Sequence, residues 1–302
     1  MPFHEYQLAF KGKQFLWRDY EGATDAEIDA LGAEFQFHPL TLDDSKTEGQ
    51  RSKLVAYDNY LFASVHTVKR VEGELSPIEM EAFLSERYLI TVHRAPLEYL
   101  DIARKHYEQS GPKEQLGPDF LLYLMADKMV DAYFPILEGM DEEIDTLEDE
   151  ILEKARTETL HRIFTIKQQL VQLRKLAAPM REVLNALAST RFGMVDARTA
   201  IYFRDVYDHL LRIYDFSETS RDLLSNALDM YLSVVSNRLN EVVKRLTIVS
   251  TIFLPISFVV GLGGMNFQQF PFANDAMYWV VIASLIAVPA GMLLYFKREG
   301  WF

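Results

Sequence analysis

The residues with the plainest chemical capacity in this chain are neutral ones. Leu246 to Met265 reads LTIVSTIFLPISFVVGLGGM and Met277 to Phe296 reads MYWVVIASLIAVPAGMLLYF, each twenty residues long and without a charge. These runs offer hydroxyls and backbone carbonyls, and Asn266, directly after the first run, adds a side-chain amide. Neutral acceptors of this kind face the water shell of a hydrated cation and release it easily, whereas a cage of carboxylates holds it tightly. Gly264-Met265-Asn266 is short enough to recur by chance. Its place, closing the first of two uncharged runs near the C-terminus, is what carries information. The plain structural use of Asn266 is a helix C-cap, a position Asn tolerates.

Other chemistry is missing. There is no P-loop, dinucleotide fingerprint or HExxH pattern, so nothing recommends an enzyme. Cys is absent, which excludes disulfides, thiolate metal sites and thiol nucleophiles. The seven histidines are scattered and none pairs with another at ligand spacing, so His38, His93 and His209 read as packing or surface residues. The formal charge of −13 argues against nucleic acid or an anionic membrane surface as partner of the soluble part, and favours attraction of cations.

Each uncharged run spans about 30 Å as a helix, the thickness of a hydrocarbon core. Two buried core helices are the alternative, but core helices of that length normally keep a polar face. Arg238, Lys244 and Arg245 precede the first run and Lys297 and Arg298 follow the second, while the loop Phe267 to Ala276 has no Lys or Arg and one acid, Asp275. The positive-inside rule then puts both termini in the cytoplasm and the loop outside. Met1 to Lys13 lacks a long apolar core and does not read as a signal peptide.

The long elements follow from periodicity. Met194 to Leu254 contains no Gly or Pro, and apolar residues recur at three-to-four spacing from Phe203 through Leu246, interrupted by the polar patch Ser217 to Asp222. This predicts one helix of roughly 65 residues, about 100 Å long, entering the membrane and needing partner helices or sister subunits to cover its stripe. Gly139 to Ala178 is also free of breakers, after a helix starting near Pro118. Its segment Asp141 to Glu153 carries eight carboxylates and no base. That segment is either a solvated helix face or a surface concentrating cations. Lys154 to Lys175 compensates on an antiparallel return helix, with Pro179 near its end. Ahead of residue 110, Lys53 to Lys69 and Ala82 to His93 read as strands, and Asp25 to Phe35 and Pro96 to Ser110 as helices, in a small α/β domain of undetermined sheet order.

Several segments together resemble the CorA family of divalent-cation channels. Tyr202-Phe203-Arg204-Asp205-Val206-Tyr207-Asp208-His209 is similar to the family signature at the top of its stalk helix, and Asn240-Glu241-Val242-Val243-Lys244-Arg245-Leu246-Thr247 to its segment entering the membrane. His38-Pro39-Leu40-Thr41-Leu42-Asp43-Asp44, followed by Gln50-Arg51-Ser52-Lys53, resembles its N-terminal motif, and the tail Tyr295 to Trp301 also fits. The resemblance implies an α+β membrane protein and a funnel-shaped homopentamer in a bacterial-type cytoplasmic membrane. Its parts are a cytoplasmic α/β domain over 1–115, long helices with the stalk over 116–245, a pore-lining span over 246–266, an external loop over 267–276, a second span over 277–296 and a basic tail over 297–302.

The same resemblance implies a selectivity filter at Gly264, Met265 and Asn266, with Asn240, Val243, Leu246, Leu254 and Ser257 along the pore. Cytoplasmic Mg²⁺, also the transported ion with Co²⁺ and Ni²⁺, would close the channel by binding between Asp44 of one subunit and Asp205 of its neighbour. Asp43 and Asp127 form the implied second site, and each Asp could instead be a surface residue or a helix cap. No organic cofactor is implied. The chain departs from the family pattern at Gly263, usually aromatic, and at Gln268 and Phe272, usually acids, which leaves ion preference open. Alternatives are the zinc-transporting ZntB branch, which usually has Val where Met265 stands, and a two-span structural or signalling stalk without a pore.

Overall fold

The computed structural model describes residues 3–10, 13–110, 117–189, 191–265 and 275–301. Its contacts divide the chain into Met1–Leu228 and Asp229–Phe302.

The first unit is built on a six-stranded sheet. Its strands are β1 (Phe3–Phe10), β2 (Lys13–Glu21), β3 (Lys53–Ala56), β4 (Leu61–Val71), β5 (Glu74–Leu84) and β6 (Tyr88–His93), in the order β1-β2-β6-β5-β4-β3. The pairing is antiparallel except between β2 and β6, where Leu16 faces Tyr88 and Glu21 faces His93 in parallel register. Each run read from sequence as one strand is two. Lys53 to Lys69 turns where Tyr57 N donates to Tyr60 O at 2.9 Å, and Ala82 to His93 turns where Ser85 N donates to Tyr88 O at 2.9 Å. Asp58-Asn59 supplies turn-forming residues at the first corner.

Alternation along the strands directs side chains to two faces. Phe62, Phe83, Ile90 and Tyr20 pack with Leu31 and Phe37, so one face carries α1 (Asp25–Phe35) and α2 (Pro39–Lys46). The helix read at Asp25–Phe35 forms at that range because a capping box fixes its start: Thr24 accepts from Glu27 N, and Glu27 Oε2 accepts from Thr24 N at 2.8 Å. The opposite face meets α3 (Glu98–Gln109) and α4 (Pro118–Asp131), through Phe15 edge-on to Tyr107 and Thr67 Oγ1 donating to Met129 O at 2.8 Å. On that face Trp17 Nε1 donates to Thr91 Oγ1 at 3.1 Å, and Asp19 Oδ1 lies 3.1 Å from His93 Nε2. Burial pulls the His93 pKa down, but the hydrogen bond and charge of Asp19 outweigh it and the net shift is upward.

The long breaker-free region forms an antiparallel hairpin of α5 (Tyr133–Lys154) and α6 (Thr157–Leu187), turning at Ala155 and Arg156 and crossed by the Arg162–Glu150 ion pair. Folding back lets Ile144, Leu147 and Ile151 and the α6 stripe Ile163, Ile166, Leu170 and Leu173 all become buried. The acids of Asp141–Glu153 stay on the outer positions and two of them pair with Arg70 and Arg162, which matches a solvated face. Pro179 does not end α6. Burial of Met180, Val183, Leu184 and Leu187 beyond it, at about 1.5–3 kcal/mol each, outweighs a cost of about 3 kcal/mol for an internal proline.

One helix, α7 (Ala197–Gly264), runs 68 residues, about 102 Å at 1.5 Å per residue. Ser217 and Ser220, which break the apolar periodicity, are buried on its inward face, so the polar patch interrupts the pattern and not the helix. In the second unit α7 is followed by α8 (Asp275–Arg298). Both are long and apolar enough to cross a membrane, and only 6% of the most apolar window of each is buried, unlike a soluble core helix. The chain after α8 returns to α7: Lys244 Nζ donates to Gly300 O at 3.2 Å and sits 5.7 Å from the Trp301 ring.

Candidate cation sites

The Asp43-Asp44 pair sits in the last turn of α2. His38 caps the start of that helix, its Nδ1 accepting from Leu40 N at 3.2 Å, and Pro39 follows in the first turn, where a missing N–H costs nothing. Carboxylates at a helix C-terminus oppose its dipole, so their position is explained better by a nearby cation than by helix stability. In this chain the cation is Lys53 on β3, whose Nζ lies 2.6 Å from Asp44 Oδ2, while Asp43 is exposed. The pair is two-thirds or more shielded from solvent on both sides.

A second acidic centre lies between α4 and α7. Asp127, Asp131 and His209 present ligand atoms all within 4.8 Å of one another. Lys128 bridges the two carboxylates, 3.1 Å from Asp127 Oδ2 and 2.7 Å from Asp131 Oδ2. Burial lowers the Lys128 pKa, but hydrogen bonds to Asp131 and Asp127 reverse this and the net shift is upward. Asp205, exposed on α7, approaches His209 Nε2 at 3.8 Å. Neighbouring Tyr123 is pushed up to about 12 by burial, with the charges of Asp127 and Asp205 adding. The buried His209 Nδ1 has no hydrogen-bond partner.

Of the residues read from sequence, Asp127 and Asp205 thus come to one neighbourhood, whereas no hydrogen bond or ion pair joins Asp44 to Asp205, or Asp43 to Asp127, among the described residues. His209 was expected to be a packing or surface residue. It lies instead among carboxylates, and Asp131 was missed altogether. The signal was available in the spacing: Asp127 and Asp131 are four apart on α4, and Asp205 and His209 four apart on α7, which places each pair on one helix face.

The neutral residues lie on the second unit. At 100° per residue, Asn240, Val243, Leu246, Leu254 and Ser257 share a stripe about 120° wide on α7. All five are exposed, Leu254 at 73% and Leu246 at 65%. The half-buried positions Lys244, Thr251, Pro255 and Val259 surround buried Ile248 on the opposite side. Gly264 closes α7 and Met265 follows; Asn266 lies outside the described residues. Neither Gly263 nor Gly264 has an atom of the described residues beyond its own helix within 4 Å of where a Cβ would stand, so a side chain at either position would find open space.

Comparison with known proteins places this architecture. Residues 12–298 match the family model described as CorA-like Mg²⁺ transporter protein. The cobalt/magnesium transport protein CorA of Thermotoga maritima is 38% identical over 278 residues, covering 91% of this chain and 79% of that protein. The putative metal ion transporter YfjQ of Bacillus subtilis is 33% identical over 289 residues, covering 95% and 90%. The complete structure of the CorA magnesium transporter from Methanocaldococcus jannaschii matches with a TM-score of 0.83 at 24% identity, over 98% of this chain and 94% of that one. Two apolar C-terminal helices together with this kinship make the chain a membrane protein. Matched over nearly its whole length, it belongs to the family of CorA-like Mg²⁺ transporter proteins.

Proposed function

We propose that the chain assembles as a homopentameric channel that carries Mg²⁺, with Co²⁺ and Ni²⁺, into the cell, and that Mg²⁺ bound between subunits closes it. The observation carrying this reading is α7: one uninterrupted helix bears the acidic neighbourhood of Asp205 near its start and the uncharged stripe ending at Gly264. Five such stripes around an axis form a pore in which Leu254, Leu246 and Val243 make an apolar constriction that gates by dewetting. Asn240 meets hydrated ion at the inner end, and Asn266 with the Gly264 carbonyl forms the outer filter. Flanking charge sets the direction, with both termini on the cytoplasmic side of the inner membrane.

Closure follows from charge. Asp44 of one subunit and Asp205 of the next, with Asp43 and Asp127 beside them, repel when bare and are held together by a divalent cation. Asp205 is available for this, being exposed and, among the described residues, paired with His209 at 3.8 Å, whereas Asp44 must exchange Lys53 for the metal. The flux assay in liposomes tests the channel: Mg²⁺ uptake abolished by Asn266→Ala supports it, and no uptake by either protein sinks it in favour of a stalk without a pore. Competition among Mg²⁺, Co²⁺, Ni²⁺ and Zn²⁺ in that assay decides ion preference; Met265 favours magnesium, and dominance of Zn²⁺ would place the chain with the zinc branch.

A further inference from the structure

Beside the sheet, on the face that carries α2, lies a cleft of about 340 Å³ that none of the proposed transport chemistry uses. Its floor is the cross-strand set Ser64 and His66 on β4 opposite Glu81 and Glu79 on β5. Glu81 is 6% exposed and His66 4%. Glu79 is the hub: Oε1 accepts from Ser64 Oγ at 3.0 Å and Oε2 accepts from the Gly49 amide at 3.1 Å, with His66 Nε2 at 3.8 Å from the same oxygen. Gly49 stands in the left-handed region (φ +79°) in the segment between α2 and β3. That segment is tied at one end to α2 by Thr47 N donating to the carbonyls of Asp43 and Asp44, and at the other by Ser52 Oγ, 2.8 Å from His66 Nδ1.

Two carboxyls side by side in a buried place cannot both ionise without repulsion. We infer that Glu81 carries a proton that it donates to Glu79 and that the pair acts as a proton-operated latch on the 47–52 segment, so that losing the proton frees the Gly49 amide and lets the end of α2 shift. The charged groups facing the pair are few. His66 on β4 is kept toward its neutral form, because burial lowers its pKa against the opposing charge of Glu79. Glu48 on the segment itself is paired with Arg94, which follows β6, at 3.1 Å. Arg94 draws the Glu81 pKa down, but burial and Glu79 prevail over it, holding Glu81 up at about 9. Protonated, Glu81 donates to Glu79, whose second oxygen remains on Gly49. Ionised, it repels Glu79, and the weakest tie of Glu79, an exposed backbone amide, is the one released. The effect on Asp44 rests on the closing site proposed above; the latch itself does not.

The test uses the full chain in detergent without divalent cation, so its failure is separate from failure of the channel reading. Hydrogen exchange at the Gly49 amide, corrected for intrinsic rate, is followed from pH 6 to 9. One linked proton gives a loss of protection of about tenfold per pH unit below the Glu81 titration. Glu81→Gln, which keeps a donor toward Glu79 and cannot ionise, should flatten that slope. Infrared difference spectra of the unaltered protein should show a protonated carboxyl near neutrality that disappears toward pH 9, which decides the matter even where the variant does not fold. A flat slope in the unaltered protein, the same slope in Glu81→Gln, or no protonated carboxyl at neutrality overturns the latch.

Discussion

If Asp44 binds a regulatory cation as proposed, Lys53 is an internal competitor for it, and its removal has a calculable effect. The Nζ–Oδ2 separation of 2.6 Å gives a gross attraction of about 6 kcal/mol at an effective dielectric constant of about 20. Both side chains still reach solvent, at 33% and 22%, so desolvation and lost rotamer freedom cancel most of that attraction, leaving a net of about 1 kcal/mol. Mg²⁺ that ligates Asp44 must first displace this pair. Lys53→Gln removes the competitor and keeps a polar side chain of similar length on a short edge strand, β3. The half-saturating Mg²⁺ concentration should fall by about fivefold, the equivalent of 1 kcal/mol.

The assay is protection from a protease by increasing Mg²⁺, read as the midpoint for each protein. Loss of any positive charge would attract Mg²⁺ slightly, so a matched control is needed. Lys46→Gln removes the same charge from the last turn of α2, where Lys46 pairs with Asp29 at 2.6 Å and not with Asp44. It should move the midpoint by less than about twofold, since Asp29 is exposed and such pairs are worth little. Equal midpoints for Lys53→Gln and the unaltered protein, or equal shifts in both variants, would refute competition at Asp44.

Other outcomes follow from single contacts. Asp205→Lys places a cation where Mg²⁺ is proposed to bind and should abolish Mg²⁺ protection; unchanged protection removes Asp205 from the site. Phe203→Ala, at a fully buried ring edge-on to Tyr123, should cost about 3–5 kcal/mol and lower the thermal midpoint at every pH, and a midpoint within a degree of the parent would contradict the packing. His93 has a raised pKa in the folded chain, so the stability it contributes is fully present below its unfolded value near 6.5 and is lost as pH rises through the folded value. Asp19→Asn should therefore remove part of the fall in thermal midpoint between pH 6 and 8, and an unaltered pH dependence would show that Asp19 does not hold that proton.

What could be read in the sequence was local. The range Asp25–Phe35 was legible because the helix is local, and the capping box that fixes its start lies within the same dozen residues. Most of the 68-residue α7 was visible because nothing from Met194 to Leu254 breaks a helix, and even buried Ser217 and Ser220 only thin its stripe, while Pro255 lies inside the helix without ending it. The sheet order was not legible, since the parallel pairing of β2 with β6 joins Leu16 to Tyr88 across most of the domain. Hairpin corners at Tyr57–Tyr60 and Ser85–Tyr88 were absorbed into longer apolar runs because β-branched and aromatic residues continue on both sides. For the candidate sites, Asp44, Asp127 and Asp205 came from resemblance. Lys53 on Asp44 and the meeting of α4 with His209 on α7 depend on tertiary contact and could be seen only once the chain was folded, whereas Lys128 between Asp127 and Asp131 is a local pairing on α4.

On the proposed reading, the separation of charge along α7 would let one protein both hold and pass the same ion. Carboxylates gather near Asp205, where a long-lived complex would serve as a signal, and are absent from the stretch between Leu246 and Gly264, where a long-lived complex would block passage. From Asp205 to Leu246 is 41 residues, about 62 Å of continuous helix. A rod of that length converts a small rotation into a large displacement: about 5° at the acidic end moves the Leu246 level by about 5 Å. That distance is comparable to the width of an apolar constriction that dewetting can close. Were closure to travel through α7 as proposed, binding energy of only a few kcal/mol at the acidic end would suffice to bias the gate, because the helix would transmit geometry and would not need to transmit charge. A break in that rod is the decisive perturbation. Inserting two glycines after Asp222, on the exposed face of α7, should leave Mg²⁺ protection at Asp205 intact while uncoupling it from flux, and flux still closed by Mg²⁺ at the original concentration would show that closure does not travel through α7.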